Sequence, residues 1–420
     1  MNILILSTDD LKGGAARSAY RLHQGLQQIN LNSKMLVQTK NSSDRNVIGS
    51  NVNSGIGSAV TGLRLTLDQL PLKFHSQKKK TAYSVQWLPD RLAGKVAQIA
   101  PDILNLHWLC NGYLQIETLA KFKQPIVWTL HDMWAFTGGC RYNQDCDRYK
   151  FACGSCPQLG SKRESDLSRW IWQRKAKAWQ NLDLTIVTPS KWLAESVKAS
   201  SLFQHRRVEV IPYGLDLNQY RPIDQKLARE LLNLPQDKQL LLFLSLQATS
   251  DRRKGFHLLQ PALAQLSQSQ GQDQLELIIV GASQPDNPTE LGFKAHYLGT
   301  LKDDLTLALV YSAADLFIAP SVQDNLPNTV MEAIACGTPC VAFNIGGMPD
   351  LIDHQKTGYL AQPYQTEDLA QGIMWILDNQ ARQQQLSDQA RQKAEQEFPL
   401  DLQASRYQSL FQELLNQKEK

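Results

Sequence analysis

The sequence has no apolar run of the roughly 18 residues that a membrane-spanning helix requires. It also lacks an excess of charge of one sign. Its 44 Lys and Arg against 40 Asp and Glu leave a net charge of +4, too weak to point to a nucleic-acid partner. The opening Met1-Asn2-Ile3-Leu4-Ile5-Leu6-Ser7 lacks the basic start of an export signal and reads instead as a first β-strand. The seven cysteines are odd in number, so with no export signal they are expected to be free or metal-bound in a reducing cytoplasm. The hydrophobic content of 42% and charged content of 20% are ordinary for a globular protein, and 420 residues suggest two or three domains.

What is present is an alternation of strand and helix signals. Apolar runs at 2–6, 34–37, 103–106, 126–130 and 184–188 are separated by segments of helical period such as 15–29 and 90–100. That order implies a parallel sheet covered on both faces. The pattern restarts at Leu240-Leu241-Leu242-Phe243-Leu244, with a helix at about 256–269 and strands at 275–280, 315–319 and 339–343. The chain is therefore expected to hold two doubly wound α/β domains, 1–205 and 206–398. A last helix, 399–420, is expected to pack back on the first domain. Segments 41–58 and 76–86 are polar and read as mobile loops.

Three loops stand at carboxyl ends of strands, where open α/β sheets bind ligands. Asp251-Arg252-Arg253-Lys254-Gly255 places two arginines and a lysine before a helix N-terminus, a combination suited to phosphate. Phe343-Asn344-Ile345-Gly346-Gly347 allows close backbone approach, and Lys12-Gly13-Gly14 opens the first helix without the Gly-x-Gly-x-x-Gly spacing of dinucleotide binders. Between them lies Pro320-Ser321-Val322-Gln323-Asp324-Asn325-Leu326, running into a helix that carries Glu332. Asp324 and Glu332 can accept hydroxyls of one ligand, although a solvated loop Asp and a surface Glu would look the same. Together the loops favour a nucleoside diphosphate as ligand.

These residues resemble the retaining family-four glycosyltransferases of the GT-B fold, two Rossmann-like domains with a ligand cleft between them. The resemblance is carried by Ile211-Pro212-Tyr213-Gly214-Leu215-Asp216, Arg253-Lys254-Gly255, Asp324 to Glu332 running into Ala335-Cys336-Gly337-Thr338-Pro339, and Gly346-Gly347-Met348-Pro349-Asp350. It implies transfer of a hexose from a UDP- or GDP-sugar to a saccharide or lipid-linked acceptor, with retention and without an essential cofactor. It implies an acceptor-binding first domain and a nucleotide-sugar-binding second domain. Lys254 would bind the diphosphate, Asp324 the donor sugar and Glu332 the ribose, while His131 would approach the reaction centre and Gly14 would let its loop close on the diphosphate. Arg253, Asn325 and Leu326 complete the expected donor site, and His107, Asp132 and Trp134 the acceptor side. Two positions depart from the family: an Asp replaces the first Glu of its spaced pair, and Ala248 stands where an arginine is common, leaving Arg252 or Arg253 to supply that charge. A nucleotide-sugar epimerase on the same fold, and a catalytically silent sugar-binding protein, remain as alternatives.

The segment His131-Asp132-Met133-Trp134 leads into a cysteine-rich loop, 137–160, in which Cys140, Cys146, Cys153 and Cys156 follow C-x5-C-x6-C-x2-C spacing. Structural zinc, free thiols and disulfides all suit such a cluster. This segment resembles a subgroup acting in bacterial exopolysaccharide and lipopolysaccharide pathways, including the colanic-acid type. Gly62 to Lys80 carries Arg64, Lys73 and Lys78-Lys79-Lys80 among leucines, which suits either a solvated loop or a peripheral contact with the inner face of the plasma membrane. Trp170, Trp172 and Trp179 share one helix and read as core or domain-packing residues before a sugar-stacking platform.

Overall fold

A computed structural model describes residues 1–49, 55–74, 82–245, 251–267, 274–282, 291–301 and 303–418, the side chains of 55–61 excepted. The chain divides into two compact units: Met1–Pro212 with Gln403–Lys420, and Tyr213–Leu402.

The first unit holds strands β1 (Asn2–Asp9), β2 (Asn32–Thr39), β3 (Val47–Gly49), β4 (Ile103–Leu106), β5 (Ile126–Thr129), β6 (Leu184–Thr188) and β7 (Arg207–Val210). They form one parallel sheet in the order β3-β2-β1-β4-β5-β6-β7. Strand periodicity of two sends Leu4 and Leu6 to one core and Ile3 and Ile5 to the other. Burial on both faces is why these strands read as continuous apolar runs. The last helix, Leu400–Lys418, lays Ala404, Tyr407, Phe411 and Leu414 against the second of these cores. Their helical spacing makes one apolar stripe, which places the chain end in the first unit.

The second unit holds β8 (Gln239–Leu244), β9 (Leu275–Val280), β10 (Ala295–Tyr297), β11 (Leu316–Ala319), β12 (Cys340–Phe343) and β13 (Gly358–Ala361), all parallel in the order β10-β9-β8-β11-β12-β13. Leu240 and Leu242 enter one core, Leu241 and Phe243 the other. In each sheet the chain order reverses once, at β1/β4 and at β8/β11. Such reversals open a crevice at the carboxyl ends of the strands, and ligands bind there.

Three expectations shift. The division falls at Pro212/Tyr213 rather than 205/206, because β7 pairs with β6 and so completes the first sheet. Segment 41–58 contains β3 and the start of the helix Gly55–Asp68, while 50–54 lie outside the described residues. Within 76–86, residues 76–81 lie outside the described residues, and Tyr83, Ser84, Val85 and Gln86 are buried. The Asp68 carboxylate pins them, accepting from Ser84 Oγ at 2.7 Å and Gln86 N at 2.6 Å.

Candidate active site

In the second unit three loops meet around one carboxylate. Asp251 accepts a hydrogen bond from Arg253 N at 3.0 Å and so starts the short turn Arg252–Lys254. Gly255 ends it at φ +78°, and a Cβ there would stand 1.7 Å from Pro320 O. Only glycine lets the turn lie this close to the loop after β11. Val322 N seals the approach, donating to Arg253 O at 2.9 Å. From the third loop, Gly347 N donates to Asp324 O at 3.2 Å, and a Cβ on Gly346 would come within 2.0 Å of the same oxygen.

This packing brings Lys254 Nζ to 2.7 Å and Arg253 Nη1 to 3.1 Å from Asp324 Oδ2. Arg253 also donates to Gln323 O at 3.0 Å, and Asn325 N donates to Asp324 Oδ1 at 3.0 Å. Burial alone would raise the Asp324 carboxyl, but the charges of Lys254 and then Arg253 outweigh it and hold it at about 2. Lys254 further lines a cavity with Phe243, Leu244, Ser245, Ser321 and Thr329, at the strand ends of the β8/β11 reversal. A depressed carboxyl contributes stability above its ordinary value of 3.8, and this is lost as pH falls through about 2. The stability advantage of the parent protein over Asp324→Asn is therefore expected to shrink by about 2 kcal/mol between pH 6 and pH 2. Denaturant melts at both values check this, and an equal difference at both would refute it.

Three further expected donor residues are buried. Glu332 is 2% exposed on the helix Asn328–Ala335 and accepts from Tyr311 Oη at 3.1 Å, on the core side of that helix. Leu326 is buried in the core of the unit, so its side chain is a packing residue. Asn325 is buried too, and it serves Asp324 through its backbone. Ala248 lies outside the described residues. Of the two arginines, Arg253 is the one turned to Asp324.

In the first unit the loop after β1 is shaped by Asp9, whose Oδ1 accepts from Leu11 N at 3.0 Å and Lys12 N at 2.7 Å. The helix Gly14–Gln28 then begins with no side-chain cap and no acid in its first turn, which leaves an electropositive N-terminus. Gly13, the N-cap before Gly14, takes φ 96°, a conformation that favours glycine. At the ends of β4 and β5, His107 Nδ1 and His131 Nε2 lie 2.9 Å apart, with the rings stacked at 5.1 Å. Burial pushes His131 down to about 3 and His107 well below its ordinary value. Asp132 accepts from Trp108 Nε1 and from Trp134 N, each at 2.9 Å, so it shapes the turn that follows. Trp134 is 2% exposed, packs against Trp128 and Trp179 and donates from Nε1 to Ser84 O at 2.9 Å. It is a core residue. Trp179 shares that core, while Trp170 is exposed.

Cys140, Cys146, Cys153 and Cys156 line one cavity with Tyr83 and Tyr149, and all four are free. Among the described residues no group of three His, Cys, Asp or Glu side chains meets the geometry of a bound metal ion. Other bonds order the loop. Gly138 N donates to Cys153 Sγ at 3.1 Å, and Asp166 accepts from Cys156 N at 2.7 Å and Ser168 N at 2.9 Å. Buried Lys175 donates to Thr137 O at 3.0 Å and also to Trp134 O. In the basic segment, Leu63 and Phe74 are exposed, but Arg64 turns inward to Gly112 O and Pro89 O, and Lys78 to Lys80 lie outside the described residues. No helix among the described residues is long and apolar enough to cross a membrane.

Two family profiles match the chain: Glycosyltransferase Family 4 over 12–219 and Glycosyl transferases group 1 over 224–393. The chain belongs to the group 1/family 4 glycosyltransferases. Its curated relatives in this family include a D-inositol 3-phosphate glycosyltransferase of Rhodococcus opacus, 31% identical over 45% of this chain and 44% of the relative. The same enzyme of Mycobacteroides abscessus is 33% identical over 41% of this chain and 39% of the relative. The chain thus spans less than half the length of these relatives. Their names carry no exopolysaccharide or colanic-acid role, so the narrower subgroup suggested by the cysteine-rich segment has no support in them. Sucrose-phosphate synthase of Thermosynechococcus elongatus has the same fold, with a TM-score of 0.70 at 19% identity over 99% of both chains. Anabaena HepE in complex with UDP-glucose gives 0.63 at 18% identity over 98% of this chain and 100% of that one.

Proposed function

We propose that this glycosyltransferase moves a hexose from a nucleoside-diphosphate sugar to a hydroxyl acceptor, with retention of configuration and no metal in the chemistry. The observation that carries this reading is the pair of cations on Asp324 at the β8/β11 reversal. A diphosphate needs such donors, and its charge grows as the glycosidic bond breaks. Donors already fixed in place stabilise that charge without reorganising. Arg253 is fixed by Asp324 and Gln323, and Lys254 by Asp324. UDP is the favoured nucleotide, on the strength of the UDP-glucose complex of HepE. The first unit would serve the acceptor, with His131 and the N-terminus of Gly14–Gln28 at its strand ends. The names of the relatives favour a phosphorylated polyol as acceptor beside the saccharides and lipid-linked saccharides expected from sequence.

The test is a screen of purified protein against UDP- and GDP-sugars, each with D-inositol 3-phosphate, free saccharides and a lipid-linked saccharide. Mass spectrometry reads the product and proton NMR its anomeric configuration. A glycosylated product with the donor's configuration, together with released nucleoside diphosphate, is expected. An epimerised donor with no acceptor product would replace this reading with the epimerase. Binding without turnover on any pair would replace it with a silent sugar-binding protein.

A further inference from the structure

We propose that Cys140, Cys146, Cys153 and Cys156 bind one structural zinc ion, which fixes the loop between β5 and the helix Leu167–Trp179. The site lies wholly in the first unit and is independent of the glycosyl-transfer reading.

The four thiols are free and line one cavity. Burial pushes the Cys140 thiol up, and charge on Cys156, Cys153 or Cys146 would push it higher, so the sulfurs stand close enough to act on one another. Cys153, Gly154 and Ser155 take φ of 54°, 93° and 43°, a left-handed run that folds the C-x2-C half-site into a tight turn with both thiols on the cavity. Gly154 has no room for a side chain there, since a Cβ would stand 2.3 Å from Glu164 O. The backbone around this turn donates to sulfur. Gly138 N reaches Cys153 Sγ at 3.1 Å. At Cys156, burial pushes the thiol up, while the amides of Leu159 and Gln158 donate to it and work the other way. Such donors favour the thiolate, which is the form that binds a metal.

A buried cation beside the cluster is a second observation. Lys175 is fully buried. Its Nζ donates to Trp134 O and Thr137 O and lies 3.7 Å from the centre of the Trp134 ring, and none of these partners carries a charge. Burial pushes the ammonium down to about 7, and the groups whose charge would hold it up are Cys110, Cys153, Cys140 and Asp132. A buried ammonium is costly without negative charge nearby. Zinc on four thiolates leaves an excess of negative charge, because each thiol gives up its proton to solvent on binding. Two of the groups that would hold Lys175 charged belong to the cluster. Thiolate ligands also select zinc over magnesium or calcium. No three of the thiols meet the geometry of a bound ion as they stand. Binding therefore includes rotation about χ1, from one staggered position to another, to reach a Zn–S distance of about 2.3 Å.

Metal analysis of full-length protein, purified without chelator and without a histidine tag, tests the site. About one zinc per chain is expected. Cobalt taken up in its place should give the thiolate-to-metal absorption and visible bands of a tetrahedral all-sulfur site. Cys153→Ser and Cys156→Ser should each lose nearly all the zinc, whereas Cys340→Ala, on β12 of the second unit, should keep it. A parent chain that holds no zinc, and takes none up when refolded with it, overturns the site. Bridged cysteine pairs in a nonreducing peptide map overturn it too. Zinc retained in full by both serine variants would mark the ion as adventitious, with the same consequence. If the variants do not fold, the zinc content and cobalt spectrum of the parent chain still decide.

Discussion

Lys254→Ala is expected to lower turnover by roughly 10²–10³, the cost of removing one fixed donor from a site of developing charge. The reason is geometric. Lys254 Nζ sits 2.7 Å from Asp324 Oδ2 on a turn that glycine lets close against the next loop. A substitution there removes a cation already in position, which solvent cannot replace with equal order. The protein should stay folded, because the Lys254 side chain is 22% exposed and Arg253 remains on Asp324 at 3.1 Å. The Asp324 carboxyl should rise above its value of about 2 once the larger of its two counter-charges is gone. Nucleoside-diphosphate release, read beside a circular dichroism spectrum, checks both parts. Turnover within threefold of the parent, in a folded variant, would remove Lys254 from the donor site.

The second large effect is on stability, and it is set by a contrast between two glycines. Gly255 and Gly299 have similar positive φ, +78° and +64°. A Cβ on Gly255 would meet Pro320 O at 1.7 Å, whereas one on Gly299 meets nothing within 4 Å. Alanine at Gly299 therefore costs only the left-handed backbone, about 1–2 kcal/mol. Alanine at Gly255 adds a backbone clash that the loop after β11 can relieve only by moving, so the loss should exceed about 3 kcal/mol. It should also weaken nucleotide binding, since the displaced loop carries Asp324. Equal losses of stability in the two variants would show that the loops can separate at little cost.

Much of the fold was legible because its signals are local. Runs such as Ile126 to Leu130 and Leu240 to Leu244 are apolar without a break because both faces of a parallel sheet are buried. The edge strands β3, β10 and β13 were missed. Each is three or four residues long, too short for a period to register. Of the site, the Arg253-Lys254-Gly255 turn and Asp324 were readable as residue types at strand ends. Trp134 and Leu326 lie buried in the cores of their units, which the sequence of the loops beside them did not reveal.

The sequence by itself determined the two parallel α/β sheets, the family and the loops proposed to carry its chemistry. All of these depend on neighbours within a few residues, where period and turn chemistry act. Only the tertiary structure decided which atoms meet. Lys254 and Asp324 are 70 residues apart in the chain, and Thr129 and Tyr407 are 278 apart. The same holds for the four cysteines, whose spacing left zinc, free thiols and disulfides open and which the fold gathers around one cavity. Contacts across such distances are set by how whole sheets and helices pack, and no local pattern encodes that packing.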